Sequence, residues 1–205
     1  MTNILIVYYS AYGHTLEMGR AVKEGSNELE ATTVKMVKVP ELEQARKNLS
    51  TQEAYRKARE AQKNIPDAEL NDLEWADGII WGIPTRFGNM PAQMKQFLDS
   101  AGGLWMDGSL EGKVTAIFTG TNTLHGGQES TVLSSLIPLL HFGMIFVGLP
   151  YGENPELMNN KFQGGSPYGA STVAGADGSR TPDENELKMA SRLGKRVARV
   201  ATALN

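Results

Sequence analysis

Ile4-Leu5-Ile6-Val7-Tyr8-Tyr9-Ser10-Ala11-Tyr12-Gly13-His14-Thr15 is the stretch on which the fold turns. Its first half is a continuous apolar run, rich in β-branched residues, of the kind that forms a strand buried on both faces of a parallel sheet. Its second half is a polar turn, and a helical pattern follows from about Thr15 to Ser26. The same alternation continues down the chain. Thr33 to Val39 alternates apolar and polar residues, as a half-covered strand nearer the sheet edge does, and Pro40 ends it. Gly78 to Ile83 reads as the third strand, stopped by Pro84. Pro91 opens a helix in whose first turn its missing N–H costs nothing. Met94, Phe97, Leu98 and Ala101 then recur at helical spacing. Val114 to Phe118 is the fourth strand, Gly126 to Leu140 a helix bent near Pro138, and Met144 to Val147 the fifth strand. Thr181-Pro182-Asp183-Glu184 reads as a helix start with Thr181 as cap and Glu184 closing a capping box. Leu187, Ala190, Leu193, Val197 and Val200 mark that helix's buried face. Five strands alternating with helices predict a doubly wound α/β sheet in a single domain of residues 1–205.

Two segments break the pattern. Residues 41 to 74 carry eight acidic and six basic residues with a thin apolar stripe. They are expected to form one exposed helix and a connector, a long helical insertion. Residues 150 to 180 are rich in Gly, Ser and Pro without periodicity and are expected to be a long loop, acting as a lid or an interface.

Composition narrows the function. The 205 residues include no cysteine, which excludes disulfides, cysteine metal sites and a cysteine nucleophile. The net charge of −3 offers no basic field for nucleic acid. Val132 to Pro150, the most apolar stretch, is interrupted too often for a membrane span. The first strand begins at Ile4, too early for a secretory leader, so a cytoplasmic location is expected. Three histidines without an H-E-x-x-H pattern predict no metal site, and the nine methionines read as gap-filling residues.

In an open parallel sheet the ligand lies beyond the carboxyl ends of the strands, which directs attention to the loops after strands one, three and four. In the first, Ser10 to Thr15, a helix N-terminus offers free N–H groups and partial positive charge. Ser10 and Thr15 add hydroxyls, and Gly13 allows close approach. That is a cradle for a phosphate monoester. It lacks the lysine of a P-loop and the G-x-G-x-x-G spacing of a dinucleotide fold. An ordinary capped strand–helix turn is the plain alternative. The second loop, Pro84 to Asn89, mixes polar, cationic and aromatic residues. The third, Thr119 to Thr123, presents hydroxyls, an amide and backbone. Neither holds a nucleophile–base pair, and both suit a flat heteroaromatic ring with a hydrogen-bonding edge.

Taken with five separated motifs, these loops resemble flavodoxin-like proteins, and in particular the WrbA family of NAD(P)H:quinone oxidoreductases. The motifs are Tyr8 to His14, Pro84 to Met90, Gly102-Gly103-Leu104-Trp105, Gly126-Gly127-Gln128-Glu129, and Ser166 to Ala170 running on to Asp177-Gly178-Ser179-Arg180. The resemblance covers essentially the whole chain, including both long segments. It implies a five-stranded parallel sheet in the order 2-1-3-4-5 with helices on both faces, FMN as cofactor, and two-electron reduction of quinones by NAD(P)H in ping-pong fashion. By the resemblance Ser10, Ala11, Tyr12, Gly13, His14 and Thr15 bind the FMN phosphate. Thr85, Arg86, Phe87 and Gly88 lie along the isoalloxazine. Thr119, Gly120, Thr121, Asn122, Thr123, Leu124 and His125 line its other side, and His141 sits near the ring. Tyr12 contacts the nicotinamide dinucleotide and Trp105 the quinone, in a homotetramer whose subunits complete one another's pockets. The third loop departs from the family pattern. It is longer, with Asn122, Leu124 and His125 in place of a glycine-rich run.

Each of these residues has a plainer alternative. Arg86 is either a cation that stabilises negative charge on the cofactor or a surface arginine paired with a carboxylate. His141 is either a neighbour of the flavin, able to donate a proton to a quinol oxygen, or the cap of a helix end. Trp105 follows two glycines in an expected loop and contacts substrate, a subunit or its own surroundings. Trp81, within a strand, is expected in the core. Two other functions fit the same fold, a flavodoxin-type electron carrier and a non-enzymatic partner of a repressor. The sequence does not separate NADH from NADPH or name the physiological quinone.

Overall fold

The computed structural model describes residues 1–205. Strand β1 (Thr2–Tyr8) pairs in parallel with β2 (Thr32–Lys38) on one side and with β3 (Gly78–Pro84) on the other. β3 pairs with β4 (Val114–Thr121), and β4 with β5 (Ile145–Phe146), which completes the order β2-β1-β3-β4-β5. The apolar runs behave as the sequence requires. Ile4, Leu5, Ile6, Val7, Ile79, Ile80, Trp81 and Ile117 are fully buried, and successive residues feed alternate faces. Leu5, Val7, Ile79, Trp81 and Ile117 enter one apolar core. Ile4, Ile6, Ile80, Ala116 and Phe118 enter the other. Each fully buried aliphatic side chain contributes roughly 1.5–3 kcal/mol.

Helix α1 (His14–Ser26) and the C-terminal helix α8 (Glu184–Leu204) cover the second core. They pack without side chains between them at Gly25 and Gly194. A Cβ on Gly25 would stand 1.8 Å from the Ser191 carbonyl oxygen, and one on Gly194 would stand 2.1 Å from that of Val22. The other face is covered by α3 (Glu53–Ala61), α4 (Leu70–Trp75), α5 (Ala92–Ser100) and α7 (Gln128–His141), among others.

The structure corrects several expectations. Residues 41 to 74 form three helices, α2 (Glu43–Leu49), α3 and α4, rather than one. Ser50-Thr51-Gln52 separates the first two, and a connector containing Pro66 separates the others. The fifth strand shrinks to two residues, and its place beside β4 is taken up again by β6 (Ala170–Val173), inside the segment expected to be loop. β5 pairs with Val114 and Thr115, and β6 with Phe118 to Thr121. β4 continues to Thr121 rather than ending at Phe118, paired with β3 as far as Gly120 and with β6 as far as Thr121. Helix α8 is capped by Asp183, not Thr181. The Asp183 side chain accepts from the Glu186 N–H at 2.9 Å, and the Glu186 carboxylate accepts from the Asp183 N–H at 2.9 Å. Trp105 lies in a short helix, α6 (Gly102–Met106), not a loop.

Candidate functional site

The carboxyl edge of the sheet brings the three loops together. Gly13 precedes α1 with φ 99°, a left-handed conformation open to glycine, and its N–H donates to Ser10 Oγ at 3.0 Å. No side chain caps α1. The N–H groups of His14, Thr15 and Leu16 therefore make no hydrogen bond within the protein, and neither does the Thr15 hydroxyl, although Thr15 is buried. Unpaired donors converging at a helix start attract an anion. They open into a slot of about 60 Å³.

The second loop is a tight hairpin in which Arg86 and Asn89 exchange backbone hydrogen bonds, 2.7 and 3.1 Å. Its base is fixed by Thr85, whose N–H donates to the Gly120 carbonyl at 3.0 Å. Thr85 Oγ1 accepts from the Gly88 N–H at 3.2 Å and bonds Thr131 Oγ1 at 2.7 Å. Phe87 takes φ 55°, a strained choice for an aromatic residue, and projects fully into solvent. Arg86 donates to the Thr85 carbonyl and pairs with no carboxylate, so the surface ion-pair alternative does not hold.

The third loop divides. Thr119 and Thr121 belong to β4 and are buried. Thr119 Oγ1 donates to the Ile83 carbonyl and Thr121 Oγ1 to that of Thr123, so both hydroxyls are engaged within the protein. Asn122 and Gly120 border the slot, and Asn122 and Thr123 a larger cavity of about 620 Å³ continuous with it through Tyr12, His14, Thr85 and Arg86. That volume lies in the range of small-molecule sites. Leu124 and His125 face an adjoining polar cavity of about 410 Å³ instead.

His141 and Trp105 lie elsewhere. α7 starts at the site and runs back along the sheet for 14 residues, roughly 20 Å at 1.5 Å per residue. His141 at its end therefore lies beside the amino ends of the strands. Trp105 Nε1 donates to its carbonyl at 3.0 Å. Both are exposed, beside the exposed apolar residues Ile137 and Leu140. Within one chain they do not meet the cradle.

Sequence reasoning passed over Gln52, Ala54, Asp177 and Gly178, which wall the larger cavity, and Ala174 at the slot. Asp177 lies within a quoted motif, but only the fold turns it toward the site. Hydrogen bonds from the Ser179 N–H and hydroxyl hold its carboxyl below the usual carboxylate range.

A family described as NADPH-dependent FMN reductase matches residues 2–152. The chain is 49% identical over 201 residues to an NAD(P)H dehydrogenase (quinone) of Aromatoleum aromaticum, covering 98% of this chain and 96% of the relative. It is also 49% identical to one of Geotalea daltonii, with 98% and 97% covered. Among solved structures, a flavodoxin, WrbA-like protein from Agrobacterium tumefaciens superposes with TM-score 0.69 at 24% identity, both chains fully covered, a likeness of fold.

Proposed function

The chain belongs to the family of NADPH-dependent FMN reductases, and from that premise we propose that it is an FMN-dependent NAD(P)H:quinone oxidoreductase of the WrbA kind. The single observation that carries this reading is the group of unpaired N–H donors at the start of α1, beside the Ser10 and Thr15 hydroxyls and without a lysine. Such a site takes a phosphate monoester on neutral dipoles. The residues present fit FMN. Ser10 to Thr15 would hold its phosphate, while Thr85, Arg86, Phe87 and Asn122 border the larger cavity where a flat ring fits. Bound there, FMN supplies hydride acceptance from NAD(P)H and two-electron delivery to a quinone.

The protein's own part is positioning and electrostatics. The Thr85–Thr131 and Thr85–Gly120 bonds hold the second loop against α7 and β4. Arg86, free of any carboxylate, offers a fixed cation that favours negative charge developing in the cavity. NAD(P)H and quinone use the same cleft in turn beside Tyr12, which gives ping-pong kinetics.

His141 and Trp105 act across subunits in this reading. They lie beside an exposed apolar row on α7, formed by Leu133, Ile137 and Leu140. Burying that row in a homotetramer would carry them to a neighbour's cavity.

The test is an FMN titration followed by addition of NADH without quinone. Bleaching of the bound flavin, followed by parallel-line initial velocities with benzoquinone, is the expected result. A chain that ignores FMN sinks the reading. Arg86→Ala is expected to shift the flavin midpoint potential to more negative values, and an unchanged potential removes Arg86 from that role.

A further inference from the structure

Glu41 is buried, and its carboxylate accepts from four donors on four parts of the chain. Tyr9 Oη reaches Oε2 at 3.0 Å and Tyr55 Oη reaches it at 3.1 Å. Oε1 accepts from Gln93 Nε2 at 2.6 Å and from the Leu42 N–H at 3.1 Å. No lysine or arginine pairs with it. Burial and the neighbouring Glu41 charge push both tyrosine hydroxyls above their ordinary pKa, so they stay protonated as donors.

Tyr9 is the residue immediately before the phosphate loop. The same insertion reaches two loop residues directly. Gln62 Nε2 donates to the Ser10 carbonyl at 3.1 Å, and Gln52 Oε1 accepts from Tyr12 Oη at 3.0 Å. Gln62 is itself buried and also donates to the Ala58 carbonyl. Three tethers, at residues 9, 10 and 12, thus run from residues 41–62 to one side of the loop, whose other side carries the unpaired N–H donors. A loop whose donors must all point at one anion gains affinity by being held before the anion arrives.

We propose that the segment 41–62 is the outer brace of the phosphate-binding loop, with Glu41 as the positioning residue that acts through Tyr9. This rests on the FMN reading above and deepens it. The brace serves recognition of the phosphate, not of the ring.

That distinction sets the experiment. FMN and riboflavin, which lacks the phosphate, are titrated separately by fluorescence into full-length protein freed of flavin. The variants are Glu41→Gln, Tyr9→Phe and Gln62→Met. Loss of a tether is expected to weaken FMN by about tenfold while riboflavin stays within about twofold. The double variant Glu41→Gln/Tyr9→Phe is expected to lose little beyond either single one. Tyr9→Phe and Gln62→Met keep the test open if Glu41→Gln does not fold. Unchanged FMN affinity in all variants, or equal losses for FMN and riboflavin, overturns the proposal. Fully multiplicative losses overturn the route through Tyr9. A wild-type chain that binds FMN no better than riboflavin overturns the FMN reading itself, a separate outcome.

Discussion

Residues 41–74 and 150–180 both interrupt the strand–helix alternation, and each packs around one buried glutamate, Glu41 within the first and Glu186 just after the second, but by opposite means. Glu41 is met only by neutral donors, two tyrosines, an amide and its neighbour's N–H. Glu186, fully buried, is met by the guanidinium of Arg180 at 2.9 Å, the Thr172 hydroxyl and the N–H groups of Gly164, Val173 and Asp183. The first arrangement ties an insertion to the loop before α1 through neutral groups alone. The second ties β6 and its flanking turns to α8 by an ion pair, one residue from Ala174 at the slot. Desolvating a carboxylate is costly in either place. What differs is the group left behind when the carboxylate is removed.

The largest expected effect follows from that difference. Glu186→Gln leaves Arg180, a quarter exposed, without its buried anionic partner and takes a carboxylate acceptor from the N–H groups of Gly164, Val173 and Asp183. Urea unfolding is expected to show a loss approaching about 3–5 kcal/mol, and a loss below that of Glu41→Gln would erase the contrast. Glu41→Gln strands no charge. It leaves neutral donors short of an acceptor, and the expected loss is about 1–3 kcal/mol. The smallest effect is one of pH. Glu153 and Glu156 are held below the ordinary carboxylate range, first by hydrogen bonds from Arg199 and Arg192 respectively. A lowered folded pKa means that the stabilisation is present above the unfolded value and fades as pH falls through the folded one. Glu153→Gln with Glu156→Gln should flatten the decline in unfolding free energy between about pH 5 and pH 3, by about 1 kcal/mol at these surface and half-buried pairs. A decline as steep as the wild type's would place acid sensitivity elsewhere.

Much of this architecture was legible in order. The apolar runs at 4–8, 78–83 and 114–118 became β1, β3 and β4, and the turn at Ser10 to Thr15 became an uncapped helix start. The second loop, too, was readable as a unit, since its hairpin closes between Arg86 and Asn89. Other parts resisted. β6 lies in a glycine-rich stretch whose four-residue strand carries no period of its own and exists because β4 offers an unfilled edge. The cap of α8 moved from Thr181 to Asp183 because both residues satisfy the local pattern, and the choice follows the Arg180–Asp183–Glu186 cluster. Thr119 looked like a ligand donor, but the extension of β4 spends its hydroxyl on Ile83.

By itself the sequence determined the succession of strands and helices and the cradle after β1, because periodicity and a helix start are set by residues within a few positions of one another. Tertiary structure alone decided that Glu41 would meet Tyr9, 32 residues before it, and Gln93, 52 residues after it. It likewise placed His141 and Trp105 a helix length from the cradle. Which polar groups share a buried space depends on how distant elements pack, and a carboxylate's need for donors can be met from any part of the chain that the fold brings near.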